Sequence, residues 1–108
     1  MRAAAATVGK EQEYRRYGRR RVMLAATLHS VHGETNAVLL DLSRGGAMLS
    51  ASPPLPVGCK LLLVRHSLEA SARVAWVEGS RLGLEFDDPL DEQLVDYLVS
   101  RPEVLSAH

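Results

Sequence analysis

Between Val22 and Phe86 the apolar residues recur with a period of two, in six short runs broken by turn chemistry. Successive side chains of an extended strand point to opposite faces, so this spacing gives each run one apolar face to bury. Val22, Leu24, Ala26 and Leu28 share one face of the first run. His32-Gly33-Glu34 then turns the chain into a more fully apolar run, Thr35 to Leu42. Ser43-Arg44-Gly45-Gly46 interrupts it, and Ala47 to Ala51 resumes extended structure. The segment Pro53-Pro54-Leu55-Pro56-Val57-Gly58 cannot donate a regular ladder and reads as a loop. Lys60 to His66 and Glu69 to Val77 follow, the latter with Ala70, Ala72, Val74 and Trp76 assigned to one face. Glu78-Gly79-Ser80 leads into the last run, where Leu82, Leu84 and Phe86 alternate. Six short strands with turns between them predict an antiparallel barrel or sandwich.

The period then changes. Leu90, Leu94, Val95 and Leu98 line one face of a predicted helix over 88–101. Asp88 is the expected N-cap, Pro89 the first helical residue, and Asp91 a favourable charge near the positive end of the dipole. Arg101-Pro102 stops the helix, which should cap an open end of the barrel or pack on its side. The expected organisation is a mobile N-terminal tail over 1–13, an arginine arm over 14–21, a barrel over 22–87, the helix, and a C-terminal tail over 102–108.

At 108 residues the chain suits one domain with one modest core. Its net charge is zero, yet residues 1–33 are rich in arginine and residues 84–103 in carboxylates. A basic front suits an anionic partner, or the two ends lie against each other. Cys59 is the only cysteine, which excludes an internal disulfide and fits a small buried residue in a reducing cytoplasm. The opening Met1 to Val8 is too short for a signal peptide core, and no apolar run approaches the ~20 residues of a membrane helix. A soluble, cytoplasmic protein with no membrane partner is expected. The histidines lack metal-ligand spacing, and the Ser43 turn lacks the leading glycine of a nucleophile elbow. No enzyme activity, metal or cofactor is expected.

Chemistry concentrates in two places. The first is Arg15-Arg16-Tyr17-Gly18-Arg19-Arg20-Arg21. Its plain reading is a solvated basic tail. Its sharper reading uses the guanidinium fork, which matches phosphate oxygens and the O6/N7 edge of guanine and can stack on a base. The second is Asp41-Leu42-Ser43-Arg44-Gly45-Gly46. If the strand persists, Asp41 and Ser43 share a face while Leu42 enters the core. The carboxylate can accept from guanine N1–H and its amino group, the hydroxyl can bond a phosphate or base edge, and Gly45 and Gly46 permit close backbone approach. Equally, Asp41 and Ser43 can simply stabilise a turn.

Together these segments resemble the signature of the PilZ family of bacterial cyclic di-GMP receptors. That signature pairs Arg-x-x-x-Arg with (Asp/Asn)-x-Ser-x-x-Gly some twenty residues later. Arg16 and Arg20 match the first element with Arg15 before it, and Asp41, Ser43 and Gly46 match the second. Ala72-Arg73-Val74-Ala75-Trp76-Val77 and Leu82-Gly83-Leu84-Glu85-Phe86 are also similar to family sequence, so the likeness spans about residues 14–100.

The resemblance implies a six-stranded antiparallel barrel with a C-terminal helix, and a ligand held by Arg15, Arg16, Arg20, Asp41, Ser43 and Gly46. Arg19, Arg21, Arg44 and Gly45 are secondary candidates. Arg19 is the rival to Arg20, because Arg15 and Arg19 also satisfy the spacing. Arg15 implies an intercalated pair of cyclic di-GMP molecules. The function implied is second-messenger signalling through an unidentified effector protein. The alternative is a PilZ-like protein adaptor that does not use the nucleotide. A nucleic-acid partner is disfavoured because Trp76 and Phe86 are both assigned to the core, leaving no aromatic platform.

Overall fold

A computed structural model of the chain describes residues 18–100. The expected tails over 1–13 and 102–108, most of the arm, and Arg101 lie outside the described residues. The six expected strands form: β1 (Arg20–Ser30), β2 (Gly33–Leu42), β3 (Gly46–Ala51), β4 (Lys60–Arg65), β5 (Leu68–Glu78) and β6 (Arg81–Phe86), followed by helix α1 (Glu92–Ser100). They close into a barrel in the order β1-β2-β3-β6-β5-β4, with every neighbouring pair antiparallel. Each strand is therefore paired on both sides over part of its length, which leaves no described strand as a free edge along its whole length.

Inward positions alternate large and small. Leu24, Leu28, Leu39, Leu49, Leu63, Leu82 and Leu84 are buried, and Ala26, Ala37, Ala47, Ala51, Ala70 and Ala72 fill the gaps between them. A barrel of so few strands has a narrow interior, and this mixture fits its taper. Each buried leucine contributes about 1.5–3 kcal/mol relative to exposure. Cys59 is only partly buried, packed against the rim of the core rather than within it.

Three features depart from the sequence reading, and each has a local cause. β1 begins at Arg20 rather than Val22, because Arg20 and Arg21 pair with Leu42 and Asp41 and extend the ladder. Tertiary pairing here overrides the polar character of the arginines. Trp76 does not share the core face of Val74. The register runs Val74↔Leu84 and then Trp76↔Gly83, so Ala75 is an extra residue in β5. Such a bulge reverses the alternation, and Trp76 joins Gly83 on the outer surface. Its indole lies over that glycine: a Cβ built on Gly83 would fall among the ring atoms Nε1, Cε2 and Cδ1.

The third departure is at the helix. Asp91, not Asp88, caps it, accepting from the Gln93 amide at 3.1 Å. Leu90 cannot be helical because its amide donates to the Arg44 carbonyl at 2.8 Å, and its own carbonyl accepts from Arg44 Nε at 2.6 Å. These bonds tie the segment before α1 to the β2–β3 turn. Leu90, Val95 and Leu98 then join the core cluster, so the helix closes the barrel where β1 starts and β2 ends.

Candidate functional site

The site is built at the end of β2. A second bulge, between Leu39 and Asp41, lets Leu39 and Leu42 both face inward while Asp41 points out. Asp41 stands between Arg21 of β1 and Met48 of β3 in the cross-strand register. It is nonetheless only 7% exposed, and its Oδ1 is buried without a hydrogen-bond partner among the described residues. The other oxygen, Oδ2, lies 3.6 Å from Arg19 Nε. Buried carboxylates normally collect several donors, so one facing the outer surface with open acceptor capacity is suited to a donor-bearing ligand.

Ser43 has a different task. β2 ends at Leu42, so Ser43 does not continue the strand or share the face of Asp41. Its side chain is fully buried under the turn, where Oγ accepts from the amides of Gly45 and Gly46, each at 3.2 Å, and lies 3.3 Å from the Gly46 carbonyl. The Ser43 amide donates to that same carbonyl at 2.9 Å. The plain reading therefore describes Ser43 in this structure: it fixes the turn that presents Asp41. Gly45 and Gly46 serve as backbone, Gly45 through its carbonyl to the Phe86 amide at 3.0 Å, and Gly46 as the first residue of β3.

The described arginines divide along the strand. Arg19 and Arg21 lie on the side of Asp41. Arg20 takes the opposite direction and reaches α1, donating from Nη2 to Asp96 Oδ1 at 2.7 Å. Arg44 is engaged with Leu90, as described. The structure thus brings together Arg19, Arg21, Asp41, Ser43, Gly45 and Gly46, and places Arg20 against the helix. Arg15 and Arg16 lie outside the described residues. Sequence reasoning missed Trp76 as a surface residue, because a bulge leaves no mark in the alternation of residue types around it.

A row further along the barrel carries Lys60, Arg73 and Glu85 in register, with Asp87 nearby, lining a shallow pocket of about 210 Å³. Arg73 bonds Glu85, and Lys60 lies 3.6 Å from Asp87, so each cation of the pocket stands beside a carboxylate. Among the described residues no cluster of histidine, cysteine or carboxylate could hold a metal, and no helix is long and apolar enough to cross a membrane.

The closed six-stranded barrel, its capping helix and the Asp41–Gly46 turn agree with a family comparison. The PilZ domain family model matches residues 13–100. The chain belongs to the PilZ domain family. PilZ domains are in general cyclic di-GMP-binding domains rather than enzymes. Among solved structures, the chain is similar to the PilZ domain of CeSA from a cellulose-synthesizing bacterium, with a TM-score of 0.52 and 20% identity. That match covers 84% of this chain and 99% of the other, and at such identity it speaks to the fold alone. No curated protein gives a match.

Proposed function

We propose that this PilZ domain is a receptor for cyclic di-GMP that relays occupancy to a partner protein. The observation that carries the proposal is Asp41. On the outer face of the barrel its Oδ1 is buried without a hydrogen-bond partner among the described residues, while its Oδ2 lies beside Arg19 and the residue pairs with Arg21 of β1. A guanine offers two donors, N1–H and the amino group, to such a carboxylate, and neighbouring guanidinium groups suit the phosphates and the Hoogsteen edge. Charge-assisted hydrogen bonds of this kind contribute about 1.5–3 kcal/mol each. Ser43 holds the turn, Gly46 starts the adjoining strand, and Arg15, Arg16 and either Arg19 or Arg20 supply the cationic side. Arg15 further supports two intercalated nucleotides per chain. Ligand contacts to the arginines would redistribute the Arg19–Asp41 and Arg20–Asp96 pairs, giving a partner a changed surface to read.

Titration calorimetry with cyclic di-GMP tests this directly. Heat saturating at micromolar ligand, with two nucleotides per chain and an affinity at least tenfold weaker in Arg16→Ala, is the expected result. Absence of binding at that concentration, or an unchanged affinity in the variant, overturns it.

A further inference from the structure

We infer that the outer face of β4, β1 and β2 is a self-association surface, on which a second copy of this chain packs across a two-fold axis with its strands antiparallel. The alternation that fills a small barrel should leave polar residues outside. On this face it does not. Met23 is 72% exposed and Val38 36%, Ala25 is exposed, and Leu62 and Val64 are half-buried. Register makes them one surface. Ala25 stands opposite Val38, Thr27 opposite Val64, and His29 opposite Leu62. The register shift between Arg21 and Leu24 aims Met23 outward while Val22 packs against the core. An apolar strip that crosses three neighbouring strands marks a contact surface.

The occupant follows from the charges at the two ends of the strip. Toward the start of β1 stands Arg21, exposed and with no ion pair among the described residues. At the other end Glu34 of β2 stands opposite His29, and Glu69 of β5 opposite Val64, both exposed. Ala25 lies midway along β1 between Arg21 and His29. A two-fold axis lying in the face and crossing β1 at Ala25 turns each end of one copy onto the opposite end of the other. Arg21 of each copy then meets Glu34 of the other, and Met23, Ala25 and Val38 pack on their own equivalents. A partner surface of one charge sign would match one end and repel the other. A second copy matches both, which is the self-complementarity that an isologous contact requires. The small side chain of Ala25 at the centre lets the two faces approach, and antiparallel strands keep the alignment in which sheets stack.

Size sets the strength. From Arg21 to His29, β1 runs about 27 Å, and three strands are about 14 Å wide. The footprint is thus roughly 300–400 Å² per copy, about half of the ~800 Å² that a stable partner covers. The dimer is therefore concentration-dependent rather than obligate, and its charged ends make it sensitive to salt.

Sedimentation equilibrium of the full chain without nucleotide tests this, independently of the receptor reading. The expected mass rises from one chain toward two between about 10 μM and 1 mM protein. About 0.5 M salt should weaken association at least threefold, and Met23→Lys at least tenfold. Met23 is an exposed residue, so this variant should melt like wild type and report the contact alone. Glu34→Lys should also weaken association, and the double variant Arg21→Glu/Glu34→Lys should restore it within about threefold, because both ends are then reversed together. A mass of one chain at every concentration overturns the inference, as does a mass that climbs past two. Association unchanged in Met23→Lys, or a double variant no better than Glu34→Lys alone, overturns it as well. All four failures leave cyclic di-GMP binding untouched.

Discussion

Asp41 and Ser43 sit two residues apart and are both buried, yet they contribute to opposite sides of the ledger. Asp41 brings a carboxylate oxygen to a place where no described donor meets it, which costs the unliganded fold free energy. Ser43 satisfies two amides that would otherwise be stranded in the turn. Asp41→Ala should therefore weaken cyclic di-GMP binding at least tenfold while the melting temperature of the unliganded protein holds or rises, measured by calorimetry and a thermal melt. Ser43→Ala should do the reverse in stability, losing about 1–3 kcal/mol by denaturant unfolding because buried amides lose their acceptor. Equal destabilisation by both would show that Asp41 is a structural residue. The motif made both residues conspicuous in the sequence, but not this division. It depends on whether the β2 ladder continues past Leu42, and the ladder is set by β1 and β3 rather than by Asp41 or Ser43.

Helix α1 and the start of β1 meet through Arg20 and Asp96. Their side chains are 45% and 55% exposed, so the pair is worth at most about 1 kcal/mol and cannot by itself hold the helix in place. It can still compete with a ligand for Arg20. If Arg20 is the second motif arginine, Asp96→Asn should raise cyclic di-GMP affinity by about two- to fivefold at low salt, with the gain fading toward 1 M salt. Asp88→Asn, which removes an acidic residue just ahead of the same helix, controls for long-range charge. An unchanged affinity in Asp96→Asn, with Arg19→Ala weaker than Arg20→Ala, would assign the motif to Arg19 instead. The sequence contained the existence and type of all seven elements, since alternation and the later change of period are strong signals. It did not contain their irregular points. The bulge at Ala75 and the capture of Leu90 by Arg44 are products of pairing between distant segments, and neither alters the local pattern of apolar residues.

At the scale of the molecule, a closed barrel with a leucine-rich core gives the ligand little to reorganise, since every strand already has a paired neighbour on both sides. Binding energy should therefore appear largely as stabilisation of the folded state. A ligand that binds only the folded chain, present at a hundred times its dissociation constant, adds about 2.7 kcal/mol. For a domain of this size that corresponds to a rise in melting temperature of about 10–20 °C. The arginines and the barrel make separable contributions to that shift. Arg15 and Arg16 precede the first strand, which starts at Arg20. The double variant Arg15→Ala/Arg16→Ala should melt within about 4 °C of wild type without ligand, because substitutions ahead of the first strand are expected to change stability by less than about 0.5 kcal/mol in all. With cyclic di-GMP it should lose most of the shift. A double variant that keeps the full shift would place the cationic side of the site on Arg19, Arg20 and Arg21 alone. A variant that melts much lower without ligand would mean that the arginines before β1 brace the barrel rather than serve the nucleotide.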